Sequence, residues 1–313
     1  MPSDCISYQE SGYFTPLIVD YLNRKEDLKP LYHRFPTFEN FKLQIEEKQQ
    51  NYTPANREIL VKVLREQYEK VQASELTSKN IQFLAEATTL TVTTGHQLNL
   101  FTGPLYFLYK IVSAINLAKE LKAAYPEYNF VPVYWMATED HDFEEINYFS
   151  FRNRKIKWNR ESTGPVGRLS TDGLADVLEV FKKELGPGEN AKKLAALFEK
   201  SYLNYDNLAD ATRYLANELF GEYGLVIIDA DNADLKRLFI PHIERELTGQ
   251  VSHQKVAETA SLLKDYNVQV NPRDINLFYI EDGVCERIIA EGEEFIITNT
   301  DLRFSKDEVH KMM

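Results

Sequence analysis

Cysteine is nearly absent from this sequence of 313 residues: Cys5 and Cys285 are the only two, and they form no CxxC pair. That excludes a disulfide-stapled scaffold and a cysteine zinc site, and it fits a reducing compartment. Long apolar runs are missing too. None approaches the ~20 residues that a membrane span requires. The opening "MPSDCISYQESGYF" has neither the basic patch nor the apolar core of a signal peptide, so the expected location is the cytoplasm. Positive charge is in deficit, with 36 Lys and Arg against 48 Asp and Glu and a net charge of −12. This balance works against general phosphate-backbone binding, and nucleic acid is not an expected partner. Neither GxxxxGK nor GxGxxG occurs, so no P-loop or dinucleotide fingerprint marks a nucleotide site.

What is present suits a globular chain with a real core: 43% of residues are hydrophobic and 27% charged. Residues 38 to 87 carry apolar side chains at three- and four-residue spacing, interrupted at Pro54, and predict helices. "LTVTT" (90–94) predicts a strand, Gly95 to Gly103 a loop, and Pro104 to about Ala123 a helix striped by Leu105, Leu108, Ile111, Ile115 and Ala118. "FVPVYWMAT" is a near-continuous apolar run of the kind found in a parallel strand covered on both faces. A hairpin insertion and helices near 172–186, 189–203 and 206–220 follow. "YGLVIIDADNADLKRLF" is strand, turn and helix again, and "INLFYIE", "VCERIIA" and "EFIIT" are strand-like. "SKDEVHKMM" reads as the start of a helix. Strands alternating with helices argue for an α/β fold with a mostly parallel sheet flanked by helices. The expected organisation is one domain: a helical segment 1–87, a core of 88–150 and 205–313, and an insertion 151–204.

In such sheets ligands bind beyond the carboxyl ends of the strands, which directs attention to four stretches. In "GHQLNLFTGPLYFLYK", Gly95 permits an unusual turn, His96, Gln97 and Asn99 supply hydrogen bonds, and Thr102 or Gly103 can cap the helix. Tyr106, Lys110 and Ser113 share a second helix face. The functional reading is a pocket for a phosphate or carboxylate with Lys110 as counter-charge; the duller one is a capped helix after a polar turn. In "ATEDHDFEE", five acids and a histidine crowd residues 139 to 145, and their repulsion calls for a cationic substrate group, a metal, arginines or water. Asp142 with Glu145 has the spacing of a helix cap, and His141 with Glu139 or Asp142 has the donors for proton exchange or a divalent ion. No metal site is expected. Asp229 and Asp231 in "LVIIDADNADLK" invite comparison with an aspartyl phosphotransfer motif, but Ala233 spoils the match and helix capping explains the residues cheaply. Arg273, Asn276 and Arg287 stand beside short strands and have the chemistry to clamp a carboxylate or phosphate, or to form surface ion pairs. Cys285, in a strand-like run, reads as a buried small hydrophobe.

Taken in order, "TTGHQLNLFTGPLYFLYK", "PVYWMATEDHDFEEIN", "TGPVGRL" and "PRDINLFYIEDGVCERI" resemble the bacillithiol biosynthesis family BshC, a cysteine ligase family, over essentially the whole sequence from about residue 10. The resemblance implies a Rossmann-like core with connecting insertions and a carboxyl-terminal coiled coil. The sequence stops at Met313, before that coiled coil, so an amino-terminal fragment is expected, with homodimerisation reserved for the full-length chain. The implied role is the last step of bacillithiol synthesis, an amide bond between cysteine and the amine of glucosaminyl-malate. The residues identify no cofactor; ATP as carboxyl activator rests on analogy with synthetase-like folds. On this reading His96, Gln97 and Asn99 grip an anionic group, Glu139, Asp140 and Asp142 hold the cysteine ammonium or the sugar amine, and His141 moves a proton, with Arg273 pairing the malate carboxylates. Gly95, Thr102, Gly103, Tyr106, Lys110 and Asn276 complete the expected substrate site, and His96, His141 and Asp140 are its expected catalytic residues. The rival reading is a binding module of the same pathway that catalyses nothing.

Overall fold

A computed structural model describes residues 4–312. Three strands form the parallel sheet: β1 (Thr89–His96), β2 (Asn129–Met136) and a third, Val226–Asp229, in that spatial order. The central strand β2 is the apolar run, with Val131, Val133, Tyr134 and Met136 buried. β1 pairs on one side only, and its threonines at 91 and 93 are exposed, as an edge strand allows. The connection from β1 to β2 is the helix Tyr106–Ala124, which packs on both strands. Its buried stripe is Phe107, Ile111, Ala114, Ile115, Ala118 and Leu121. The expected stripe is rotated at its start: Leu105 precedes the helix and is exposed, because helical periodicity begins only at Tyr106. Helices Phe38–Asn51, Pro54–Gln67 and Glu75–Phe83 account for the amino-terminal segment, and the last two pack against the strand Val226–Asp229.

The insertion begins with the hairpin β3 (Tyr148–Phe151) and β4 (Arg154–Lys157), whose two turn residues Arg152 and Asn153 both have positive φ, the geometry that matches strand twist. Three helices follow: Leu174–Leu185, Glu189–Tyr202 and Leu208–Phe220. The parallel strand Val226–Asp229 is therefore β5.

The carboxyl-terminal strands stand outside the parallel sheet. β6 (Phe278–Glu281), β7 (Val284–Glu291), β8 (Glu294–Ile297) and β9 (Arg303–Ser305) form a four-stranded antiparallel sheet. Leu247, Ile275, Ile288, Phe295 and Ile297 give it a core of its own. The reason lies in the spacing: Asp282-Gly283 and Gly292-Glu293 leave two residues between strands, enough for a hairpin and far too few for a parallel crossover. β9 has no counterpart among the sequence-predicted strands. The expected terminal helix is a 3-10 turn, Lys306–Lys311, capped by Ser305 and Glu308, and its last predicted residue, Met313, lies outside the described residues.

Candidate functional site

The parallel register brings three strand ends to one level, His96 opposite Met136 and Met136 opposite Asp229. The first loop is tied to β2, since the Tyr134 hydroxyl donates to the carbonyls of His96 and Gln97 at 3.3 and 3.4 Å. It then bends through three consecutive residues of positive φ: Phe101, Thr102 and Gly103. The bend is held by the Phe101 ring, packed against Phe149, Phe181 and Phe198, and by the Phe101 N–H, which donates to the Tyr202 hydroxyl at 2.8 Å. Such anchoring is what backbone strain requires. A Cβ at Gly103 would stand 2.4 Å from Asn99 Cβ, so only glycine lets the chain fold over Asn99. Thr102 and Gly103 shape this bend and do not cap the next helix, whose N-cap position is Leu105. Gly95 makes no unusual turn. It is a regular residue of β1 with room for a Cβ, the Trp135 carbonyl being 3.9 Å away.

Side chains of the first loop reach the acidic stretch directly. Gln97 Nε2 donates to Asp140 Oδ2 at 2.6 Å and to Glu145 Oε2 at 2.9 Å, and Asn99 Nδ2 donates to the Glu145 carbonyl at 3.2 Å. Asp140 Oδ1 accepts from the N–H groups of His141 and Asp142. Acid crowding at Asp140 and Glu145 is thus met by amide donors, while Glu144 pairs with Lys157 at 2.8 Å. Asp142 sits at the N-cap of the short helix Phe143–Ile146 without a side-chain bond, and Glu145 is engaged by Gln97, so the expected capping pair does not form. His141 is more than half exposed, its ring 5.6 Å from that of Phe278.

At the end of β5, Asp229 Oδ1 accepts from the Thr138 hydroxyl and from the Asp231 N–H. Asn232, not Asp231, caps the following helix Ala233–Arg237. Asp231 is held by Arg168 in a two-pronged pair at 2.6 and 2.9 Å and by Lys236. Burial opposes the Asp231 carboxylate, but these hydrogen bonds and charges prevail and keep its pKa below 3.8. Arg168 also reaches Asp282 at 2.7 Å, joining the antiparallel sheet to this rim. Its segment closes tightly: the N–H groups of Val166 and Gly167 donate to the carbonyls of Asp140 and Thr138, and a Cβ at Gly167 would strike Thr138 at 2.5 Å. Nothing in the local pattern of "TGPVGRL" marks Arg168 for this place in the site. Sequence reasoning also missed Tyr134, Thr138 and Glu145, whose parts depend on which strand ends meet.

Three buried polar atoms at this rim make no hydrogen bond of good geometry, His96 Nε2, Asn99 Oδ1 and Glu139 Oε2, although the Asn99 side chain is a hydrogen-bonding neighbour of His96 and the Glu139 N–H lies near its own carboxylate. His96 is 7% and Asn99 6% exposed. His96 Nδ1 faces the Gln97 carbonyl at 3.0 Å; a carbonyl only accepts, so Nδ1 carries the hydrogen and Nε2 presents its lone pair. Burial, aided by the charge of Lys110, outweighs hydrogen bonding to the Gln97 carbonyl and the Asn99 side chain and lowers the His96 pKa from its ordinary value. Burial likewise raises that of Glu139, and Asp229, Asp231 and Asp140 add to the effect. Buried acceptors of this kind are satisfied by N–H and O–H donors. Tyr106 stacks 5.1 Å from His96, and with Lys110, Ser113 and residues 92–94 of β1 it lines a hollow of about 370 Å³ beside the rim.

Arg273 and Asn276 do not join this group; they line a different hollow with Ser252, Val256 and residues 269–271. Cys285 is buried, its Sγ donating to the Glu139 carbonyl at 3.5 Å, and burial pushes the thiol up to about 11. Among the described residues, no group of three or more His, Cys, Asp or Glu side chains is arranged to hold a metal ion, and no helix is long and apolar enough to cross a membrane.

Level parallel strand ends with polar loops closing over them define a Rossmann-like α/β protein, a class in which ligands bind beyond the carboxyl ends of the strands. The whole chain, residues 1–313, matches the family described as bacillithiol biosynthesis BshC, N-terminal Rossmann-like domain, and the chain belongs to that family. Relatives carrying the name "Putative cysteine ligase BshC" include those of Flavobacterium johnsoniae, 62% identical over 309 residues, and Flavobacterium psychrophilum, 60% identical over 314. That of Cytophaga hutchinsonii is 41% identical over 308 residues. These alignments cover 99%, 100% and 98% of this chain but 58%, 59% and 57% of the relatives, so the chain spans about three fifths of their length.

Proposed function

We propose that this chain supplies the amine-binding face of a cysteine ligase that joins cysteine to glucosaminyl-malate in the last step of bacillithiol synthesis. One observation carries the reading: Gln97 bridges Asp140 and Glu145, and on the same two loops His96 Nε2, Asn99 Oδ1 and Glu139 Oε2 are buried without a hydrogen bond of good geometry. An amine bearing neighbouring hydroxyls satisfies such acceptors, and a carboxylate does not. Amide formation also requires the amine to lose a proton as it attacks. His96, neutral with an open Nε2, is placed to take it, and the more exposed His141 is the secondary candidate. Asp140 serves by holding Gln97 and the backbone of its own loop, and Glu139 by attracting the ammonium form. Tyr106 and Lys110 wall the adjoining hollow, where the rest of the substrate extends.

The test is made in the full-length enzyme. His96→Ala lowers the rate of product formation by about 10²-fold or more, the usual contribution of a positioned base. Because burial lowers the His96 pKa, the wild-type rate falls on acidification at a lower pH than an ordinary imidazole base would give. Amine binding without any turnover, in wild type and variant alike, would instead make this a binding module.

A further inference from the structure

The free edge of β5 is closed by two side chains in place of a fourth strand. Ile227 N–H donates to the Tyr68 hydroxyl at 2.9 Å. Two residues on, Gln67 makes both bonds a strand neighbour would make: Asp229 N–H donates to Gln67 Oε1 at 3.0 Å, and Gln67 Nε2 donates to the Asp229 carbonyl at 2.7 Å. The amide is itself held. Arg213, 2% exposed, donates to Gln67 Oε1 at 3.2 Å and is pinned by Asp210 at 3.0 Å. The line from Asp210 through Arg213 and Gln67 therefore ends on the backbone of Asp229. From there it continues into the rim, since Asp229 accepts from the hydroxyl of Thr138, the residue before Glu139, and the Thr138 carbonyl in turn accepts from the Gly167 N–H.

We infer that Gln67, locked by Arg213, is a positioning residue that sets Asp229 and, through Thr138, the Glu139 loop. Neither Gln67 nor Arg213 belongs to the rim, and nothing in its sequence neighbourhood marks Gln67 for this role. The physical argument is one of precision. A single strand at a sheet edge has its last residue paired on one side only, and the end of β5 is the end that faces the site. Gln67 supplies the missing side with one rigid planar group, and Arg213 removes the rotamer freedom that a lone glutamine would keep.

The functional half of this inference rests on the ligase reading, so the experiment has two arms, both in the full-length enzyme. Hydrogen exchange at the amides of residues 227–231 reads the strut itself. Gln67→Leu, which removes both bonds and leaves Arg213 partly unpaired, accelerates exchange there while β1 amides are unaffected. Steady-state kinetics reads the consequence: kcat falls by up to about 100-fold, as a small misplacement of reacting groups allows, with a much smaller change in KM. Gln67→Glu keeps the acceptor for Asp229 N–H and Arg213 but loses the donor to the Asp229 carbonyl, so it recovers only part of the rate and serves also if the leucine variant fails to fold. Unchanged exchange at Asp229 in Gln67→Leu overturns the strut. Faster exchange with wild-type kcat overturns its positioning role. A wild-type enzyme that makes no product sinks the ligase reading alone, and exchange still decides the strut.

Discussion

The rim of the parallel sheet and the hollow beside residues 269–276 are built from the same side-chain vocabulary of asparagine, glutamine and charged groups. They differ in what surrounds those groups. At the rim, three strands in register deliver their loops to one place, and acceptors are buried before their hydrogen bonds are complete. Around Arg273 the chain is irregular and the arginine is exposed, so water satisfies it. An incomplete buried polar group costs free energy and persists where something else fixes it, whereas an exposed one costs nothing and signals nothing. The contrast teaches that residue type nominated both regions and burial separates them.

The strongest way to break the comparison is at the bend that buries Asn99. Gly103→Ala puts a Cβ on Asn99 at a positive φ, and a loss of about 3 kcal/mol in urea unfolding is expected. Gly95→Ala, in extended backbone with open space, changes stability by no more than about 0.5 kcal/mol. Equal losses at the two glycines would show that the 101–103 bend has no special hold on the site.

Next in size is Arg168→Leu, which leaves Asp231, its side chain 4% exposed, with Lys236 as its remaining partner. Stripping a partner from a fully buried charge costs more, but Arg168 is itself 36% exposed, so about 2 kcal/mol is expected at neutral pH. The sign with pH follows from the depressed pKa of Asp231. Its contribution is present above about pH 3.8, the ordinary value, and is lost as pH falls through the lower folded value. The gap between wild type and variant therefore closes on acidification, which chemical denaturation at pH 7 and pH 3 measures.

The smallest effect is expected at Arg273. Because it stands with the second hollow and not with the rim, Arg273→Ala changes kcat/KM for the amine substrate by less than about twofold. A large loss would place the malate carboxylates there after all and erase the distinction between the two regions.

Much of this was legible in the residues. The apolar run of β2, the helix after Pro104, the hairpin before the three helices and the polar turns at 96–99 and 139–145 follow from local patterning, and local patterning does not depend on what packs nearby. The antiparallel carboxyl-terminal sheet was legible in principle from its two-residue turns. The partnership of Gln97 with Asp140 and Glu145, the lock of Arg168 on Asp231 and the brace of Gln67 on Asp229 were not, for they join residues 43, 48, 63 and 162 positions apart.

By itself the sequence determined most of the strands and helices and which turns carry hydrogen-bonding chemistry, because periodicity and turn preference act over a few residues. Only the tertiary structure decided which polar atoms remain buried without a well-formed hydrogen bond, and that the rim's cations Arg168 and Lys236 are already engaged by Asp231. That outcome depends on strand register and on the direction in which each polar atom has already spent its hydrogen bonds, and neither is a property of any one stretch of chain.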